Sequence, residues 1–119
     1  MLFEARTGRV RDHVRFDGEL TLYVDRDAYR MMTEIIAAGD AVRQVTIQGT
    51  PEELQTAALG FASSIFGIEQ GKKLMNFYHG DAACVLNVCG KYFSVRLAKK
   101  ITKVQKKQYR RREVHDNGF

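Results

Sequence analysis

Apolar and polar positions alternate on both sides of the pair Asp17-Gly18: Val14 and Phe16 precede it, and Leu20, Leu22 and Val24 follow it. A period of two residues is that of a strand with one covered face. Asp-Gly supplies the two positive φ angles of a type I′ turn, so the stretch from about 13 to 24 is expected to be a β-hairpin with these apolar side chains on one face. A hairpin alone is marginally stable, and that face needs a helix to cover it.

The period then changes to that of a helix. Ala28, Met31, Met32, Ile35 and Ile36 follow the i, i+3, i+4, i+7, i+8 spacing of one buried stripe. Asp25 or Asp27 is placed to accept hydrogen bonds from the first turn, and Gly39 is a natural stop, which gives a helix over about 27–38. Val42, Val45 and Ile47 follow in a segment, 41–48, that reads equally as a strand or an extended link. Thr50-Pro51-Glu52-Glu53 marks a helix start, with Thr50 as N-cap, Pro51 at the first helical position and Glu53 closing a capping box. This helix, about 51–66, carries Leu54, Ala58, Phe61, Ala62 and Ile65 on one face and stops at Gly67. A short helix is expected over about 69–77, ended by the turn Tyr78-His79-Gly80-Asp81.

Asp81 caps the longest helix, about 82–110. Its stripe is Leu86, Phe93, Leu97, Ile101 and Val104, widened at the start by Val85, Cys89 and Tyr92. Beyond Val104 there is little to pack, and residues 113–119 are expected to fray. The whole pattern predicts an α+β, mainly α fold: an N-terminal β-hairpin packed on a small bundle of about four helices with a long C-terminal helix. The 119 residues suit a single domain, placed at 1–112.

Composition changes this picture little, but charge changes it at one place. Hydrophobic residues make up 45% and charged residues 28%, as in ordinary globular chains. Acidic and basic side chains nearly balance through residue 98. Lys99, Lys100, Lys103, Lys106, Lys107, Arg110, Arg111 and Arg112 then follow with no acid among them. This basic patch reads either as a solvated helix end that complements the helix dipole or as a nucleic-acid contact in which Tyr109 adds a stacking ring. No apolar run approaches the length that spans a bilayer, and the N-terminus meets charge at once, so neither membrane insertion nor secretion is expected and the cytoplasm is the expected compartment. Cys84 and Cys89, about 140° apart on one helix, read as reduced, small apolar residues.

Candidate chemistry is sparse. His13, His79 and His115 stand at no metal-ligand spacing from one another or from a cysteine. Asp25 and Asp27 form an Asp-x-Asp that helix capping explains, and Glu52-Glu53 suits a helix N-terminus. Ser63 and Ser64 have no base nearby in sequence, and the glycines form no phosphate loop. No catalytic residue, metal ligand or cofactor is expected, so the chain reads as a binding protein rather than an enzyme, a small enzyme being left only for residues that come together in three dimensions. The densest apolar stretch contains Phe61, Ile65, Phe66, Leu74, Met75 and Phe77. It reads as core or as a surface that receives an amphipathic helix from a partner.

The passage Phe61-Ala-Ser-Ser-Ile-Phe-Gly-Ile-Glu-Gln-Gly-Lys-Lys-Leu-Met-Asn-Phe resembles the tail assembly chaperones of long-tailed, siphovirus-type bacteriophages. In both, an amphipathic helix ends in Phe-Gly and a Gly-Lys-Lys-Leu segment runs to an aromatic residue. A turn, a long helix and a charged tail follow, and the Asp-Gly-Glu-Leu-Thr-Leu stretch before a helix is also similar. Together these parts span roughly residues 14–112. The resemblance implies a self-associating helical protein without catalysis that binds the tape measure protein, supports recruitment of tail tube protein in the host cytoplasm, and is absent from the finished virion.

Overall fold

The computed structural model describes residues 8–116, and the side chains of residues 8–107. Its order is β1 (Arg9–Phe16), β2 (Leu20–Asp27), α1 (Ala28–Gln48), α2 (Pro51–Phe66), α3 (Ile68–Phe77), α4 (Ala82–Tyr92), a π-helical turn (Phe93–Leu97) and α5 (Ala98–Asp116). This is the mainly helical α+β architecture the pattern predicts. The strands pair antiparallel with Phe16 opposite Leu20, Val14 opposite Leu22 and Asp12 opposite Val24. Asp17 and Gly18 have φ of 49° and 71°, and the Glu19 N–H donates to the Phe16 carbonyl at 3.0 Å. Glu19 is thus one residue more than a two-residue turn needs, and this register keeps Val14, Phe16, Leu20, Leu22 and Val24 on one face.

That face packs on the helices. Val10, Phe16, Leu22 and Val24 are buried with Met31 and Ile35 of α1, Ala58, Ala62, Ile65 and Phe66 of α2, and Leu74 of α3. From the C-terminal helices the core takes Val85, Cys89, Tyr92, Leu97 and Ile101. The Phe66 ring meets Phe16 edge-on at 5.8 Å and stacks on Tyr92 at 5.9 Å, joining hairpin, α2 and α4 at one point.

The first helix corrects the sequence reading. It does not stop at Gly39 but continues to Gln48, so segment 41–48 is helix, neither strand nor link. Met31, Ile35, Ala38, Val42 and Val45 keep helical spacing across the glycine. Glycine inside a helix costs about 1 kcal/mol relative to alanine. Packing of α1 along α2 offsets that cost. The stop is Gly49, whose N–H donates to the Val45 carbonyl at 2.7 Å. Asp27 is the cap, accepting from the Arg30 N–H at 2.8 Å, whereas Asp25 pairs with Arg9 at 2.8 Å. Ile36, placed in the buried stripe by its spacing, is 55% exposed.

The second helix begins as expected, with Thr50 Oγ1 accepting from the Glu53 N–H at 3.2 Å. Gly67, at φ 87°, turns the chain directly into α3, a conformation that favours glycine. Arg26 fastens the end of α2 to the hairpin: its guanidinium donates to the carbonyls of Ser63 at 3.1 Å and Ser64 at 2.8 Å and pairs with Glu34 of α1. A cation there also opposes the negative end of the α2 dipole. Asp81 caps α4 by accepting from the Cys84 N–H at 3.1 Å. The last helix extends past the expected end near 110 to Asp116; residues 117–119 of the expected frayed tail lie outside the described residues.

Candidate functional site

The apolar stretch from 61 to 77 divides in two. Ile65, Phe66 and Leu74 are buried in the core and present no surface to a partner. Phe61, Met75 and Phe77 are packed against that core but only half buried. The core reading therefore holds for the first three, because α3 folds back against α2 and covers the stripe. Gly71 makes this approach close: a Cβ there would stand 2.6 Å from Ser63 Oγ and 3.1 Å from the Ser63 nitrogen.

The groove that remains open lies beside this cluster. Ala38, Ala41 and Val45 of α1 form one wall, and Thr56, Ala57 and Gly60 of α2 the other, with Thr50, Glu52 and Glu53 at one end. Its volume is about 650 Å³. A second depression of about 320 Å³, lined by Gln55, Leu59, Lys72, Met75 and Asn76, meets it at Thr56. Most of the long groove is walled by alanine, glycine and threonine, so it is a row of holes without knobs of its own. Such small residues leave weak marks in a hydrophobicity pattern, and the sequence reading did not find them. The i, i+3, i+7 spacing of Ala38, Ala41 and Val45 was the available signal.

The basic helix is anchored by a buried carboxylate that the sequence reading also missed. Asp12 shares the parity of Val10, Val14 and Phe16, so it faces the body, with a side chain only 2% exposed. It accepts from the Tyr92 hydroxyl at 2.7 Å, Arg96 at 2.8 Å and the His13 N–H at 2.9 Å, while the Lys100 Nζ stands at 3.8 Å. Burial, and then the bond to Asp12, push the Tyr92 hydroxyl pKa up. Charge-assisted hydrogen bonds of this kind are stronger than neutral ones.

The π-helical turn makes this arrangement possible. Ala82, Val85, Cys89 and Tyr92 face the core, and an uninterrupted α-helix would next place Arg96 and Lys99 there. The turn adds one residue, so Leu97 and Ile101 become the buried pair and Arg96 reaches Asp12 from the side. The widened stripe seen in the sequence is in fact two stripes one residue out of phase. Lys100 is half buried here, Lys99, Lys103, Lys106 and Lys107 are exposed, and the side chains of Arg110, Arg111 and Arg112 lie outside the described residues.

Other titratable groups have structural settings. Burial pushes the Cys89 thiol up to about 12. Tyr78 is pushed up to about 12 by burial and then by its bond to Asp17 at 3.0 Å. The Arg9 guanidinium beside Asp25 lowers that carboxyl. His13 and His79 are exposed and far apart in the chain, and His115 lies outside the described side chains. Among the described residues no group of three or more His, Cys, Asp or Glu is arranged to hold a metal ion, and no helix is long and apolar enough to cross a membrane. Fold and site together describe a small hairpin-and-helix body with an open apolar groove and a long basic helix. No family model, no curated protein and no solved structure matches the chain.

Proposed function

We propose that this protein is a non-catalytic assembly chaperone that receives an amphipathic helix of a longer partner in the groove between α1 and α2. The observation that carries this reading is the composition of the groove walls: Ala38, Ala41, Ala57 and Gly60 leave space that large apolar side chains of an incoming helix would fill. The second depression, with Leu59 and Met75, extends the receiving surface across α2. Methionine adapts its shape readily to different partners. The likeness of residues 61–77 to phage tail assembly chaperones supports the tape measure protein as that partner, with recruitment of tail tube protein, self-association and action in the host cytoplasm as its further implications. A tape measure chain is a long helix-former whose apolar stripes must be kept apart until assembly. Many moderate contacts of one kind would do this.

Co-expression with the tape measure protein of the same phage is expected to give a soluble complex. Gly60→Leu and Ala41→Trp fill the groove from exposed positions and are expected to abolish co-purification while leaving thermal unfolding intact. A tape measure protein that never co-purifies, or variants that bind as well as the parent chain, would remove the basis for this reading.

A further inference from the structure

Beyond the groove, the outer face of the hairpin carries a pattern that neither packing nor capping explains. Arg9, Arg11, His13 and Arg15 occupy successive outward positions of β1, all exposed, while Val10, Asp12, Val14 and Phe16 between them face the body. Opposite His13 stands Tyr23, whose side is turned outward and whose residue is 64% exposed. Arg11 and Arg15 flank this pair along the strand, about 7 Å apart from each neighbouring outward residue. Asp25 engages Arg9 at 2.8 Å and Arg11 at 3.4 Å, and Asp27 stands opposite Arg9, so the three arginines of the face exceed its two aspartates by one positive charge.

Two further contacts bear on this face. The side-chain amide of Gln70 bonds Tyr23 on both sides: the Tyr23 N–H donates to Gln70 Oε1 at 2.8 Å and Gln70 Nε2 donates to the Tyr23 carbonyl at 2.7 Å. The strand beneath the ring is thereby held in place. On the other edge, Lys100 Nζ donates to the Arg11 carbonyl at 3.5 Å, which sets α5 alongside β1. Lys99, Lys103, Lys106 and Lys107 are exposed along this helix, which leaves the body beside β1.

We infer that the outer hairpin face, centred on Tyr23 and flanked by Arg11 and Arg15, binds a single-stranded nucleic acid whose backbone continues along α5. One exposed ring flanked by two guanidinium groups matches one base flanked by two phosphates. Guanidinium groups pair with phosphate oxygens, and an exposed ring on a sheet stacks an unpaired base. An acidic peptide would satisfy the arginines and leave the ring without a role. A duplex would keep its bases out of reach of a flat sheet.

The test is fluorescence anisotropy of labelled twenty-nucleotide oligo-dT and oligo-rU with the full chain. About four phosphate contacts would weaken binding about 50-fold between 50 and 200 mM salt. Tyr23→Ala is expected to lose about fivefold or more in affinity, and Tyr23→Phe, which keeps the ring, to stay within about twofold of the parent. Arg11→Ala with Arg15→Ala is expected to flatten the salt dependence, and Lys103→Glu with Lys106→Glu to weaken binding of both oligomers. Preference between the two oligomers tells RNA from DNA as the source. Absence of binding at 50 mM salt, unchanged affinity in Tyr23→Ala, or equal competition by polyglutamate at matched charge would each overturn the inference. The groove variant Gly60→Leu is expected to bind both oligomers normally, which separates this surface from the helix-receiving groove.

Discussion

Replacing Asp12 tests how the C-terminal helix is held. In Asp12→Ala the Tyr92 hydroxyl, on a buried residue, loses its acceptor, a penalty of about 1–3 kcal/mol. Arg96 and Lys100 lose the same carboxylate, but their side chains are 54% and 37% exposed and return to water, so each adds about 0–1 kcal/mol. The contributions sum to about 1–5 kcal/mol with a centre of about 2–3 kcal/mol, a large share of the roughly 5–15 kcal/mol typical of a whole domain. At this chain length that centre corresponds to a fall of about 6–15 °C in Tm. Urea unfolding followed by far-ultraviolet circular dichroism reads it directly. Tyr92→Phe is the second corner of a double-mutant cycle, with an expected coupling to Asp12→Ala of about 1 kcal/mol or more. If Asp12→Ala costs less than about 0.5 kcal/mol, or if the two substitutions simply add, the carboxylate does not anchor the helix and the reasoning fails.

Deleting Val95, an exposed residue of the π-helical turn, should convert the turn to α-helix and keep Leu97 and Ile101 in phase with Val85, Cys89 and Tyr92. Circular dichroism should show helix content retained and unfolding still cooperative; a loss of cooperativity would show that the turn does more than set phase. Stability should decline in alkali, because Cys89 and Tyr78 hold their protons more tightly when folded. Their contributions are whole below the ordinary values of 9.0 and 10.0 and vanish as pH rises towards about 12. Urea midpoints across that range should fall, with Tyr78→Phe and Cys89→Ala each flattening the decline. Gly39→Ala should raise stability by up to about 1 kcal/mol, since the nearest atom to the new methyl is Phe61 Cε2 at 4.0 Å. Gly71→Ala should cost about 1–3 kcal/mol by pushing α3 off Ser63, and equal midpoints for the two variants would refute both estimates.

Local chemistry made much of the fold legible. Asp17-Gly18 fixed the hairpin and its face, Thr50-Pro51 fixed the start of α2, and Asp81 fixed the start of α4, because each acts through bonds to residues within a few positions. Gly39 misled because a helix breaker is weighed against tertiary packing, and contact with α2 lies outside any local window. The segment 41–48 was ambiguous for the same reason: Val42, Val45 and Ile47 suit a strand by type and a helix by spacing, and only α2 decides between them. Asp12 was illegible for a different reason. Its partners Tyr92, Arg96 and Lys100 are more than seventy positions away, and its carboxylate looks like any surface charge until the strand is extended back to Arg9.

The same limit explains why the apolar density from 61 to 77 drew attention away from the groove. Periodicity finds residues that must leave water, and a protein buries most of these by itself, as it does Ile65, Phe66 and Leu74. The surface proposed to receive another helix has the opposite composition: it withholds bulk where such a partner would supply it. Ala38, Ala41, Ala57 and Gly60 contribute little to hydrophobic patterning and little to the core. Under the proposed function, binding and stability are separable here. Filling Gly60, which has no atom within 4 Å of an added Cβ, removes the hole without straining the fold, whereas truncating Leu74 would cost about 2–5 kcal/mol and impair both. Loss of partner binding in a Leu74 variant would therefore say nothing about where the partner sits, and only substitutions at the small residues can locate it.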